Sequence, residues 1–158
     1  MHPNHTQSPT HKNLEAAFAG ESMAHIKYLH FARIARARGD EAVAKVFEET
    51  AAQEVQHALG HADLLYPKDE LTTAQVLDQA IAGETYEYTE MYPGFRSDAE
   101  KEGNHHAVQE LDGQIAESKE HAARFRATLE LARKRFAALA KVEERHANRY
   151  RGLRSALA

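Results

Sequence analysis

Apolar residues recur at three- and four-residue intervals along most of this chain, the period of helices that each bury one stripe. Leu14, Phe18, Tyr28, Ala32 and Ala35 share such a stripe with Glu21 and His25, which predicts a first helix from about Asn13 to Arg38. Gly39-Asp40 ends it, since a glycine just past the last periodic position is a helix stop. Val43, Phe47, Thr50, His61 and Leu64, together with Glu54 and His57, mark a second helix that closes at Tyr66-Pro67-Lys68-Asp69. Thr72 or Thr73 caps a third, whose stripe carries Leu77, Ala80, Glu84, Glu87 and Met91, and Pro93-Gly94 predicts a kink in it. From about Asn104 to Leu157 the chain is again helical in character, with weak breaks at Gly103-Asn104 and Asp112-Gly113. The pattern is all-α: a disordered tail over residues 1–12, with Pro3, Pro9, His2, His5 and His11, then one helical domain over 13–158.

Acids interrupt these stripes. Burying an unpaired carboxylate costs several kcal/mol or forces it to neutralise, so its recurrence on four apolar stripes calls for a shared cation. Residues three apart lie on one helix face. Glu54/His57 and Glu143/His146 can therefore each aim two ligands at one point, Glu84/Glu87 has the same spacing, and Glu21 adds a single acid. Carboxylates chelate or bridge, and neutral imidazole suits iron, manganese or zinc. In di-iron and di-manganese four-helix bundles of the ferritin type, one Glu from each of two helices joins a Glu-x-x-His from each of the other two. One Glu-x-x-His is weak in a chain with 24 Asp and Glu and 11 His. Its position is what strengthens it: Leu129, Ala132, Phe136, Leu139, Tyr150 and Leu153 form a stripe broken only at Glu143 and His146. Among the other histidines, His61 reads as a packed core residue and His105-His106 as solvated.

Composition narrows the chemistry. The 158 residues contain no cysteine, which excludes disulfides, a thiol nucleophile and Cys-ligated metal within them. A net charge of −4 gives no basic footprint for nucleic acid. No apolar run approaches the roughly 20 residues of a membrane span, and no secretory signal is visible. The expected location is cytoplasmic.

With these residues in hand, the chain resembles the rubrerythrins. The resemblance rests on Ala19-Gly20-Glu21-Ser22, on the segment from Glu49 to His57, on Gly83-Glu84-Thr85-Tyr86-Glu87-Tyr88-Thr89-Glu90-Met91-Tyr92-Pro93, and on Ala140-Lys141-Val142-Glu143-Glu144-Arg145-His146. It implies a ferritin-like di-iron site whose ligands are Glu21, Glu54, His57, Glu84, Glu87, Glu143 and His146. It also implies bridging roles for Glu54 and Glu143, exchange of Glu87 and His57 at one iron as the redox state changes, and room for manganese or zinc in place of iron. The family's usual C-terminal rubredoxin module needs four cysteines, so this chain resembles a short form without it.

One ambiguity is built into the C-terminal half. Ala107–Phe125 and Ala132–Tyr150 echo each other at a shift of about 25 residues, close to seven whole helical turns, so both copies present the same face. A hairpin turning near Asp112-Gly113 brings Glu143/His146 level with Glu87. A shorter one turning at Gly103-Asn104 brings Ser118 and His121 there, with Glu117 beside them. We favour the later pair, because Ser118 cannot replace a bridging carboxylate, and keep Glu117/His121 as the rival.

A ferritin-type bundle needs its second and third helices parallel, so their connection must recross a distance on the order of 30 Å. The linker Tyr66–Thr73 reaches at most about 26 to 29 Å. The expected assembly is therefore a domain-swapped homodimer. The expected activity is reduction of hydrogen peroxide to water at a diferrous site, with electrons from a separate donor such as a rubredoxin or a reductase. Two other readings share the ligands: a ferroxidase that handles iron, and a peroxide or oxygen sensor.

Overall fold

The structure, a computed structural model, describes residues 8–156 and contains only helices among them. It divides into two compact units, residues 1–71 and 72–158, and each is a helical hairpin.

In the first unit, helix α1 (Pro9–Ala37) packs against α2 (Glu41–Leu65). The expected tail is shorter than residues 1–12. Ser8 accepts a hydrogen bond from the His11 N–H and Pro9 sits in the first turn, so residues 9–12 are helical, while residues 1–7 lie outside the described part. A Ser cap followed by Pro is a helix start that the tail's polarity had masked. The corner is a Schellman turn. Gly39 takes φ +83°, its N–H donates to the Arg36 carbonyl at 3.0 Å, and the Asp40 N–H donates to the Ala35 carbonyl at 3.0 Å. Asp40 then caps α2 by accepting from the Val43 N–H at 3.1 Å. Arg36 clamps the corner from outside, bonding Glu41 at 2.9 Å and Glu48 at 2.8 Å.

In the second unit, α3 (Thr73–Tyr86), a π-helical turn (Glu87–Met91) and α4 (Tyr92–Lys101) run on as one arm, which packs against α5 (His105–Ala156). Thr72 and Gln75 form a capping box at the start of α3. A π turn stands just before Pro93-Gly94, where a kink is expected. The Tyr92 N–H donates to the Glu87 carbonyl five residues back, and this wider turn absorbs a proline that has no N–H to offer.

The second corner repeats the first and decides the hairpin. Gly103 takes φ +70°, its N–H donates to Glu100 at 3.1 Å, and the Asn104 N–H donates to Ala99 at 2.9 Å. Asn104 caps α5 through the Ala107 N–H at 3.1 Å. The turn favoured near Asp112-Gly113 is thus corrected: α5 runs through both residues. A glycine inside a helix costs only about 1 kcal/mol, and Asp112 bonds Arg96 of α4 at 2.6 Å, which pins the shorter hairpin.

The helix seams are lined by small residues. Ala32, Ala35 and Ala44 form a cluster with Phe47 against it; Ala51 and Ala58 continue along α2, and Ala99, Ala122 and Leu129 are buried in the second unit. Small side chains let helices approach closely but bury little area. Met23, Ile26, Val46 and Leu59 consequently stay more than half exposed. Each hairpin closes its seam and leaves an apolar face open.

Candidate metal centre

In the first hairpin, α1 contributes Glu21 and α2 contributes Glu54 and His57, with one ligand atom from each lying within 4.8 Å of the others. Glu54 Oε2 and His57 Nδ1 are 3.0 Å apart, as the i, i+3 spacing requires. His25 fixes the level at which the two helices meet. It lies one turn beyond Glu21, and its Nδ1 donates to the Ala51 carbonyl at 2.7 Å, one turn before Glu54. A carbonyl only accepts, so Nδ1 carries the proton.

In the second hairpin, Glu84 and Glu87 face α5. His121 Nδ1 stands 3.4 Å from Glu84 Oε2, and the Ser118 hydroxyl donates to Glu87 Oε2 at 2.9 Å. The His121 contact is within ion-pair range but does not satisfy Glu84: its Oε2 is buried with no hydrogen-bond partner. Tyr92 lies beside this pair. Burial first, then the charges of Glu87 and Glu84, raise its phenol above the ordinary value of 10, so it stays protonated.

These residues fit a divalent metal. A carboxylate oxygen stripped of water and of donors is stable only beside a cation or a proton. The donor sets, two carboxylates with one imidazole in each hairpin, have the mixed hard-oxygen and nitrogen character that iron and manganese accept.

The structure brings Glu21, Glu54 and His57 together in one unit and Glu84 and Glu87 together in the other. It does not bring Glu143 and His146 to Glu84 and Glu87. They lie on α5 with side chains 77% and 59% exposed, 4.0 Å from each other. At 1.5 Å per residue, Glu143 is about 37 Å along the helix from Ser118. The physical reason is the corner at Gly103-Asn104, which sets Ser118 and His121 opposite the acids. Glu117, the acid of the rival pair, is exposed. Sequence reasoning thus undervalued Ser118 and His121, and gave His25 no role beyond its place on the first stripe. A search for acid-x-x-His passes over Ser118-x-x-His121 and stops at the next copy, seven turns on. His25 carried a signal, four residues after Glu21 on the same stripe.

Residues 12–129 match the Rubrerythrin family. The chain belongs to the rubrerythrin family. It is 42% identical to a rubrerythrin of Porphyromonas gingivalis, over 61% of this chain and 54% of that protein. It is 39% identical to nigerythrin of Nitratidesulfovibrio vulgaris, over 63% of this chain and 55% of the relative. A solved structure of nigerythrin in its fully reduced, all-ferrous state is 35% identical, covering 82% of this chain and 71% of that one at a TM-score of 0.39. The chain spans about half the length of the first two relatives. Rubrerythrins are ferritin-like di-iron proteins, and the all-α class expected from the sequence is the observed one. The family match includes Glu21, Glu54, His57, Glu84, Glu87, Ser118 and His121, and it stops at Leu129, before Glu143 and His146. No helix among the described residues is long and apolar enough to cross a membrane.

Proposed function

We propose that this rubrerythrin-family chain is a non-haem di-iron peroxidase that reduces hydrogen peroxide to water as protection against oxidative stress. In this reading Glu21, Glu54 and His57 serve one half of the centre, and Glu84, Glu87 and His121 serve the other. The observation that carries it is the convergence of Glu21, Glu54 and His57, with the orphaned Glu84 Oε2 beside His121 in the other hairpin, in a chain of a di-iron family. When bound, two ferrous ions supply one electron each, which with two protons converts one peroxide to two waters. The protein's own part is electrostatic and positional. Four carboxylates offset the charge of two divalent ions, so the reduced centre is close to neutral in its partly buried setting. Tyr92, within electrostatic reach of Glu84 and Glu87, keeps its phenolic proton and would offer it for hydrogen bonding at the centre. The returning electrons come from outside these cysteine-free residues, through a rubredoxin-type centre or a reductase.

The same reading includes a swapped homodimer. The Glu70 and Leu71 N–H groups both donate to the Pro67 carbonyl, at 3.1 and 3.2 Å, so the linker after α2 is coiled. Its reach then falls below the roughly 30 Å that recrossing a bundle needs. Pairing each hairpin with one from a partner chain covers the open apolar faces without that crossing. A monomer by light scattering at micromolar concentration removes the swap.

The test of function is anaerobic. Protein loaded with ferrous iron should bind two ions for each pair of hairpins and lose both ferrous signals to one equivalent of peroxide, far faster than to dioxygen. Oxidation by dioxygen at the same rate points to a ferroxidase and refutes the proposal, as does zinc as the sole metal of the protein isolated from cells.

A further inference from the structure

Ser118 is the single buried polar side chain among the described residues, at 4% exposure. It stands three residues before His121, on the face of α5 that meets Glu84 and Glu87. In four-helix di-metal carboxylate bundles that position, the first of the second Glu-x-x-His, belongs to a glutamate. A serine oxygen lies one bond from Cβ, too near the helix backbone to reach a shared ion. The family resemblance implies five glutamates, and with serine at this position four remain: Glu21, Glu54, Glu84 and Glu87.

Glu87 is the one that Ser118 touches. It sits one turn beyond Glu84, at the first residue of the π-helical turn, and its Oε2 accepts the Ser118 hydroxyl proton at 2.9 Å. A π turn rotates the side chains that follow it relative to a regular helix, and such turns recur at functional sites. Here it begins at the residue that must extend toward α5.

We propose that Ser118 is a positioning residue whose hydroxyl holds Glu87 against α5, in the space that an α5 carboxylate would otherwise occupy. This rests on the di-metal reading above, and it sharpens that reading in one respect. Glu87, tethered to α5 by Ser118, is a standing ligand and not one that swings freely in exchange with His57.

Cobalt(II) titration of the metal-free full chain under anaerobic conditions tests this, read by the visible absorption of bound cobalt. The wild-type chain takes up two ions for each pair of hairpins. Ser118→Ala removes a hydrogen bond to a charged group and weakens one of the two ions about tenfold, while Ser118→Thr keeps the hydroxyl and stays near wild type. Glu87→Ser loses one ion, and the transposed double variant Glu87→Ser/Ser118→Glu regains it. Titrations of Ser118→Ala that match wild type overturn the role of Ser118, and so does a folded double variant that binds no better than Glu87→Ser. A wild-type chain that takes up no cobalt overturns the metal centre itself, and this role with it.

Discussion

Two glycines, ten residues apart in the chain, should respond to the same substitution with opposite signs. Gly103 holds a left-handed conformation, φ +70°, at the corner between α4 and α5, whereas Gly113 lies inside α5. A Cβ added at either meets nothing within 4 Å, so packing does not enter and backbone conformation decides both outcomes. Forcing alanine into the left-handed region costs about 1–2 kcal/mol. Replacing a glycine in a helix interior gains about 0.5–1 kcal/mol. Gly103→Ala and Gly113→Ala should therefore differ by roughly 2 kcal/mol, which for a chain of this size separates their melting temperatures by about 4–8 °C. Thermal and urea unfolding followed by circular dichroism, at one fixed protein concentration because association shifts apparent stability, measures the gap. A destabilised Gly113→Ala beside a neutral Gly103→Ala would refute the reasoning. It would put the turn at Asp112-Gly113 and bring Glu143 and His146 level with Glu87.

The same choice of hairpin can be read at the metal. His121→Ala should weaken one metal ion by at least about 100-fold, more than the loss of a residue that only supports a ligand, while the double variant Glu143→Ala/His146→Ala should titrate like wild type; the reverse result would restore the later pair. A third expectation concerns acid. Arg36 holds Glu41 and Glu48 below the ordinary carboxylate value of 4.5, chiefly through its hydrogen bonds to each. A depressed folded value means that the stabilisation is fully present above that ordinary value and is lost as pH falls through the lowered ones. Arg36→Met should flatten the dependence of unfolding on pH below about 4.5, and an unchanged acid limb would show that this exposed clamp contributes nothing.

How far the site could be read in advance differs from one half to the other. Glu21, Glu54 and His57 were legible because each signal is local. Two lie at i, i+3 on one helix, the third is on the preceding helix, and a Gly-Asp corner between them leaves no other pairing. Glu84 and Glu87 were legible for the same reason. Their partners on α5 were not. The two copies of the α5 face are about 25 residues apart, nearly whole turns, so helical periodicity cannot tell them apart. Chemistry tipped the choice toward Glu143 because a search for ligands looks for acids, and Ser118 is not one. Gly103-Asn104 did carry the signature that had ended the first helix at Gly39-Asp40, a glycine followed by a side chain able to cap the next helix. That likeness was the better guide.

By itself, then, the sequence determined the helices, both kinds of cap and the family to which the acids and histidines belong. Those follow from periodicity, residue type and short spacing, which act within a few turns of one helix. Tertiary structure alone decided which copy of the repeated face closes the second hairpin, since that depends on hydrogen bonds at the corner and on the Arg96–Asp112 pair between two helices. It also decided that Ser118 meets Glu87 and that Glu84 Oε2 is left without a donor. A buried unsatisfied oxygen exists only once neighbouring helices have excluded water from it, and no pattern along one chain records what will stand across the seam.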